Sequence, residues 1–121
     1  MELGITGEKS VTVTAALCAD AVGSGDLPVF ATPQMVALME GAAAESVKPY
    51  LKEEETTVGA GLQIRHLAAS KPGAYVVARS VLQHVDGRKL EFHVEAWEGE
   101  KKIGDGTHLR VVVNREQFLT K

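Results

Sequence analysis

The sequence predicts an α+β domain in which one long helix lies against a single face of a five-stranded antiparallel sheet. Three observations carry this. Only one segment, Thr32 to about Val47, has a convincing helical signature, and the other ordered segments alternate with the period of a strand. Four of the five strand segments follow that helix, which argues against repeated βαβ units and a doubly wound parallel sheet. The last three strands are joined by short turns at Asp86-Gly87 and Glu98-Gly99-Glu100, the pattern of an antiparallel meander. The 121 residues leave room for one domain, 1–121.

The first strand is expected over Ser10–Leu17, where Val11, Val13 and Ala15 alternate with threonines. A loop rich in turn formers, Asp20 to Pro28, leads to the helix. Thr32 reads as its N-cap, Pro33 occupies the first helical position, and Pro49 ends it. After the acidic turn Glu53-Glu54-Glu55, Thr57–His66 sets Val58, Ala60, Leu62 and Ile64 on one face. Ala74–His84 is apolar on both faces and is expected to be covered on both. Leu90–Glu98 turns Leu90, Phe92, Val94 and Ala96 inward, and Ile103–Val113 turns Ile103, Leu109, Val111 and Val113 inward.

Composition narrows the function. Apolar residues make up 45% and charged residues 24%, which fits a folded domain. The net charge of −3, with no Lys/Arg run longer than two, argues against nucleic-acid or anionic-membrane binding. No stretch is apolar for the roughly 18 residues of a membrane span, and the N-terminus has no signal-peptide core. Cys18 is the only cysteine, so an intrachain disulfide is excluded and a reducing, cytoplasmic setting is expected.

The helix is apolar on every side, and one sheet covers only one of them, so a homodimer is the economical expectation. Glu40 is the only charged residue between Asp26 and Glu45, and Val36, Ala37, Ala43 and Ala44, one turn away, offer it no partner. Two readings stand: a carboxylate at the helix margin with its head in water, or an acid/base group held in an apolar pocket. His66 continues the even register of its strand toward the helix. It is a structural histidine or, with Glu40, part of a site. Thr32 is explained by capping, yet its hydroxyl also lies at the positive helix end, where an oxyanion is favoured. Eight residues separate Thr32 from Glu40, about 12 Å along the axis and roughly 80° around it. The two share one site only across a substrate, through a bridging histidine, or from different subunits.

Three segments resemble the hotdog-fold acyl-CoA thioesterases of the fluoroacetyl-CoA thioesterase-like group. They are Val29-Phe-Ala-Thr-Pro-Gln-Met-Val-Ala-Leu-Met-Glu-Gly-Ala-Ala43, Thr57-Val-Gly-Ala-Gly-Leu-Gln-Ile-Arg-His66 and Ile103-Gly-Asp-Gly-Thr-His-Leu-Arg110. The resemblance implies a sheet wrapped around a central helix, dimers with interfacial sites, and hydrolysis of an acyl-CoA thioester. It implies catalytic roles for Thr32, Glu40 and His66 and substrate contacts for Gly59 and Arg110. Coenzyme A would be part of the substrate, with no separate cofactor. The loop Ala21-Val-Gly-Ser-Gly-Asp26 lacks the aromatics that the fluoroacetyl enzyme uses for selection, which implies a broader acyl range.

Arg110 falls on the even register of its strand and is expected to face away from the helix. His84, His93 and His108 read as surface histidines, since no short spacing makes them metal ligands. Gly59-Ala-Gly61 and Gly104-Asp-Gly106 mark close backbone approach in strands rather than a dinucleotide loop. The competing function is an acyl-CoA binding module of the same fold without turnover; three intact polar positions favour hydrolysis. A hotdog-type hydratase is disfavoured, because Asp26 has no accompanying histidine.

Overall fold

The computed structural model describes residues 1–121. Five strands, β1 (Thr6–Thr12), β2 (Glu55–His66), β3 (Tyr75–Asp86), β4 (Lys89–Glu98) and β5 (Lys101–Asn114), form one antiparallel sheet in the order β1-β3-β4-β5-β2. The helices are α1 (Ala19–Val22), α2 (Thr32–Val47) and α3 (Arg115–Leu119). The expected meander of the last three strands is present, turned by Gly87 and Gly99 at positive φ. The first strand lies earlier than expected. It ends at Thr12, and Ala15–Leu17 forms a 3₁₀ turn instead.

Helix α2 has the expected bounds, and Pro49 follows in a 3₁₀ turn over Lys48–Tyr50. Met35, Leu38, Met39, Ala42 and Val47 bury one face against Val76, Ala78 and Leu82 of β3 and Leu90, Phe92, Val94 and Ala96 of β4. Each large side chain in this layer contributes about 1.5–3 kcal/mol by leaving water. Gly104 permits the close fit, because a Cβ there would lie 2.6 Å from the Met35 sulfur. Strand β3 is covered on one face only: Tyr75 and Val81 point outward, 58% and 38% exposed. The opposite face of α2 stays partly open in the single chain, with Ala37 exposed and Val36, Gly41 and Ala44 half-buried.

Two bulges invert the expected strand phases. Beside Ala96 and Trp97 of β4, Ile103 is an extra residue in β5, since Ala96 pairs with Gly104 and Trp97 with Lys102. From that point the even residues turn inward, so His108, Arg110 and Val112 are buried, while Leu109, Val111 and Val113 face the other way. In β2, Ala60 is skipped between Gly59 (opposite Arg110) and Gly61 (opposite Leu109). Thr57 and Gly59 therefore share the inner face with Leu62, Ile64 and His66, and Val58 and Ala60 do not.

Candidate active site

Thr32 opens α2, but Ala31 is the N-cap and Pro33 the second helical residue. The threonine hydroxyl makes no capping bond and pairs with His66 instead, with Oγ1 2.7 Å from Nδ1. This corrects the capping role expected of Thr32. The hydroxyl is reachable, because Thr32 is exposed and the pair borders a cleft of about 360 Å³. Val29, Phe30, Leu67 and Ala68 give that cleft apolar walls. A larger cleft of about 690 Å³ lies beside the N-terminal segment and Tyr50 and holds none of the site residues.

His66 sits at the end of β2, its Nε2 buried without a hydrogen bond. Burial lowers its pKa below the usual value of 6.5, and the Ala68 carbonyl facing the ring opposes that without closing a full hydrogen bond. In the neutral tautomer that carries its proton on Nε2, Nδ1 offers its lone pair to the hydroxyl, the arrangement of a general base beside its nucleophile.

Of the two readings open for Glu40, two turns along α2, the structure takes the helix margin rather than a sealed pocket, and it supplies the partners that the helix lacks. Its side chain is 35% exposed, and Oε2 lies 3.6 Å from Arg110 Nη1 and 3.7 Å from His108 Nε2. The partners come from β5, about seventy residues away in sequence, so no inspection of the helix reveals them. Arg110 faces the helix, contrary to its expected register, and is buried. Its Nε donates to Thr57 Oγ1 (2.8 Å) and its Nη2 to the Thr57 carbonyl (3.0 Å). Burial lowers its pKa, and Glu40 opposes that. Gly59 completes the group: a Cβ there would stand 2.7 Å from Glu40 Oε2.

His108 is the residue that sequence reasoning missed. It was expected at the surface, yet its side chain is fully buried against Phe92 and its Nδ1 lies 2.9 Å from the Gly61 carbonyl. The phase inversion at Ile103 puts it there. His84 is exposed and His93 pairs with Glu95 at 2.8 Å, so the three histidines do not converge.

The chain thus carries two polar groups between α2 and the inner faces of β2 and β5: Thr32 with His66, and Glu40 with Arg110, His108, Thr57 and Gly59. Neither Thr32 nor His66 bonds Glu40 within the chain. No helix is long and apolar enough to cross a membrane.

Comparison with known proteins identifies the family and the fold. The family model described as fluoroacetyl-CoA-specific thioesterase, FlK, matches residues 13–116. A fluoroacetyl-CoA thioesterase of Streptantibioticus cattleyicolor is 42% identical over 93 residues, 77% of this chain and 67% of that protein. A single-residue variant of FlK, solved with fluoroacetate and CoA, superposes with a TM-score of 0.91 at 34% identity, covering 98% of this chain and 99% of that one. Another FlK variant, solved with acetyl-CoA, gives 0.93 at 32% identity over 99% and 95% of the two chains. A hot-dog-like protein of Thermanaerovibrio acidaminovorans shares the fold alone, with a TM-score of 0.89 at 18% identity over 99% and 89%. With its hotdog fold and a family match across most of its length, the chain belongs to the FlK family of thioesterases, which are hydrolases.

Proposed function

We propose that this protein hydrolyses small acyl-CoA thioesters at sites completed by a homodimer. The observation that carries the reading is the 2.7 Å hydrogen bond between Thr32 Oγ1 and His66 Nδ1 beside an open apolar cleft. Thr32 Oγ1 attacks the thioester carbonyl carbon while its proton passes to His66 Nδ1. The positive end of α2 favours the oxyanion that develops. Collapse breaks the carbon–sulfur bond, and the proton on Nδ1 goes to the departing CoA sulfur. Water then attacks the acyl-threonine ester and gives a proton to Glu40; as the carbon–Oγ1 bond breaks, that proton passes to Oγ1, releasing the carboxylic acid and restoring both Thr32 and the Glu40 carboxylate. Gly59 and Arg110 lie beside Glu40, where they would meet the substrate.

The dimer reading is supported by β2, a twelve-residue edge strand whose outer side has no partner and whose inner face leaves Leu62 46% exposed. Antiparallel pairing of two β2 edges about an axis through Gln63, with Ala60 again skipped, would set Gly59 opposite the partner subunit's His66. That brings the Thr32–His66 pair of one protomer to the Glu40 group of the other. The open face of α2 is covered in the same contact. The single buried Cys18 suits a reducing compartment, and we assign the protein to the cytoplasm. Thiol release from a panel of acyl-CoAs of increasing chain length tests the activity. We expect turnover to be greatest for short chains; binding without thiol release across the panel would make this a binding module instead.

A further inference from the structure

The inference concerns His108 and rests on the thioesterase reading above. The Gly61 carbonyl, 2.9 Å from His108 Nδ1, can only accept, so Nδ1 carries a proton. Burial and the adjacent guanidinium keep the ring neutral, although the Gly61 carbonyl and Glu40 oppose this. Nε2 therefore presents a lone pair, and its neighbour Arg110 Nη1, at 3.1 Å, donates to it. With Nε and Nη2 bound to Thr57, all three nitrogens of Arg110 have a partner other than Glu40. Glu40 Oε2 stands 3.6 Å from the guanidinium, outside direct hydrogen-bond range, and 3.7 Å from the His108 lone pair, which repels it. An arginine with free donors close to a carboxylate would normally close a two-pronged bridge and occupy both oxygens. Here one N–H on each nitrogen, three of the five, is held elsewhere, which fixes the guanidinium short of Glu40, and the carboxylate keeps its lone pairs for water or substrate.

We propose that His108 is a positioning residue: by accepting from Arg110 Nη1 it holds the guanidinium beside Glu40 rather than on it. His108→Leu removes the acceptor, so Arg110 closes on Glu40. The expected result is a kcat lower by about 10- to 100-fold with KM changed less than about threefold, since the defect lies in proton transfer rather than binding. His108→Gln carries a carbonyl oxygen to about the position of Nε2 and should restore kcat to within about threefold of wild type. A packing role alone would predict no such rescue. Nitrogen-15 NMR of the histidine rings in the unmodified protein supplies a readout that needs no activity and no variant. It should find His108 neutral and protonated on Nδ1 from pH 6 to 8. A ring protonated on Nε2 overturns the proposal, as does a folded His108→Leu enzyme with unchanged kcat. If the unmodified protein releases no thiol from any acyl-CoA, the functional reading fails, while the NMR result still reports on the Arg110 clamp.

Discussion

Thr32 Oγ1 and His66 Nδ1 lie 2.7 Å apart although thirty-four positions separate them in the chain. The contact is made because α2 begins beside the point where β2 ends, and the hydroxyl, freed from capping, has the imidazole as its partner. Loss of either member should stop proton transfer. Thr32→Ala and His66→Ala are each expected to lower kcat by at least about 100-fold, measured as thiol release, with the fold intact by circular dichroism. Wild-type rates in both would remove the assigned mechanism.

The neutral state of His66 sets the pH dependence. Its pKa is held below 6.5 by burial, so the base is already unprotonated at neutral pH. The acid limb of kcat/KM should fall below pH 6.5, with a level rate from about pH 7 upward. A limb centred above 6.5 would mean that the ring in the working enzyme is charged at rest, contrary to its burial.

Stability follows the same sign. His66 and His108 both bind protons less readily folded than unfolded, so the unfolded chain takes up more protons between their folded pKa values and 6.5. Stability contributed by these two rings is fully present above 6.5 and is lost as pH falls through that window. A melting temperature that drops between pH 7.5 and 5.5, and drops less in His108→Gln, is the expected outcome of a thermal-shift series.

Complementation distinguishes a shared site from one built within a single protomer. Neither His66→Ala nor Glu40→Gln should be active alone. Co-expressed, half of the dimers would be mixed, and each mixed dimer would hold one intact site, giving about a quarter of wild-type activity. No recovery in dimers proven to be mixed would argue that the two polar groups of one protomer act on the same substrate.

Gly59→Ala tests the contact beneath Glu40. The added methyl would displace only the flexible end of that side chain, since its other neighbours, His108 Cε1 and Arg110 Nη1, stand at 3.5 and 3.6 Å. The expected variant melts within a few degrees of wild type but loses about tenfold or more in kcat, because a misplaced carboxylate serves poorly as a base. An unaltered kcat would mean that Glu40 has no need of its present position.

Much of this was legible in the chain itself. Helix α2 announces its ends through Thr32-Pro33 and Pro49, and β4 alternates cleanly because both its neighbours pair with it along its length. Strand β5 misleads, because Ile103 is an apolar residue that the pairing skips, and no propensity marks a skipped residue. Reading past it with a fixed period turns Leu109 and Val111 inward and sends His108 and Arg110 to the surface, the reverse of what is found. Glu40 looked solitary for a related reason: its companions lie on a strand, and helical spacing reports only helical neighbours. Thr32, Glu40 and His66 were visible as unusual polar residues, but their division into two groups depends on tertiary contacts.

Ala60 has a part that its small, exposed side chain conceals. As the residue left out of the β2–β5 pairing, it sets the angular offset between the two halves of the strand. Deleting it would keep the composition almost unchanged yet rotate Leu62, Ile64 and His66 by half a turn relative to Gly59, carrying the imidazole to the far side of the sheet. Drift by substitution is therefore open to this stretch, whereas drift by loss of a codon is closed.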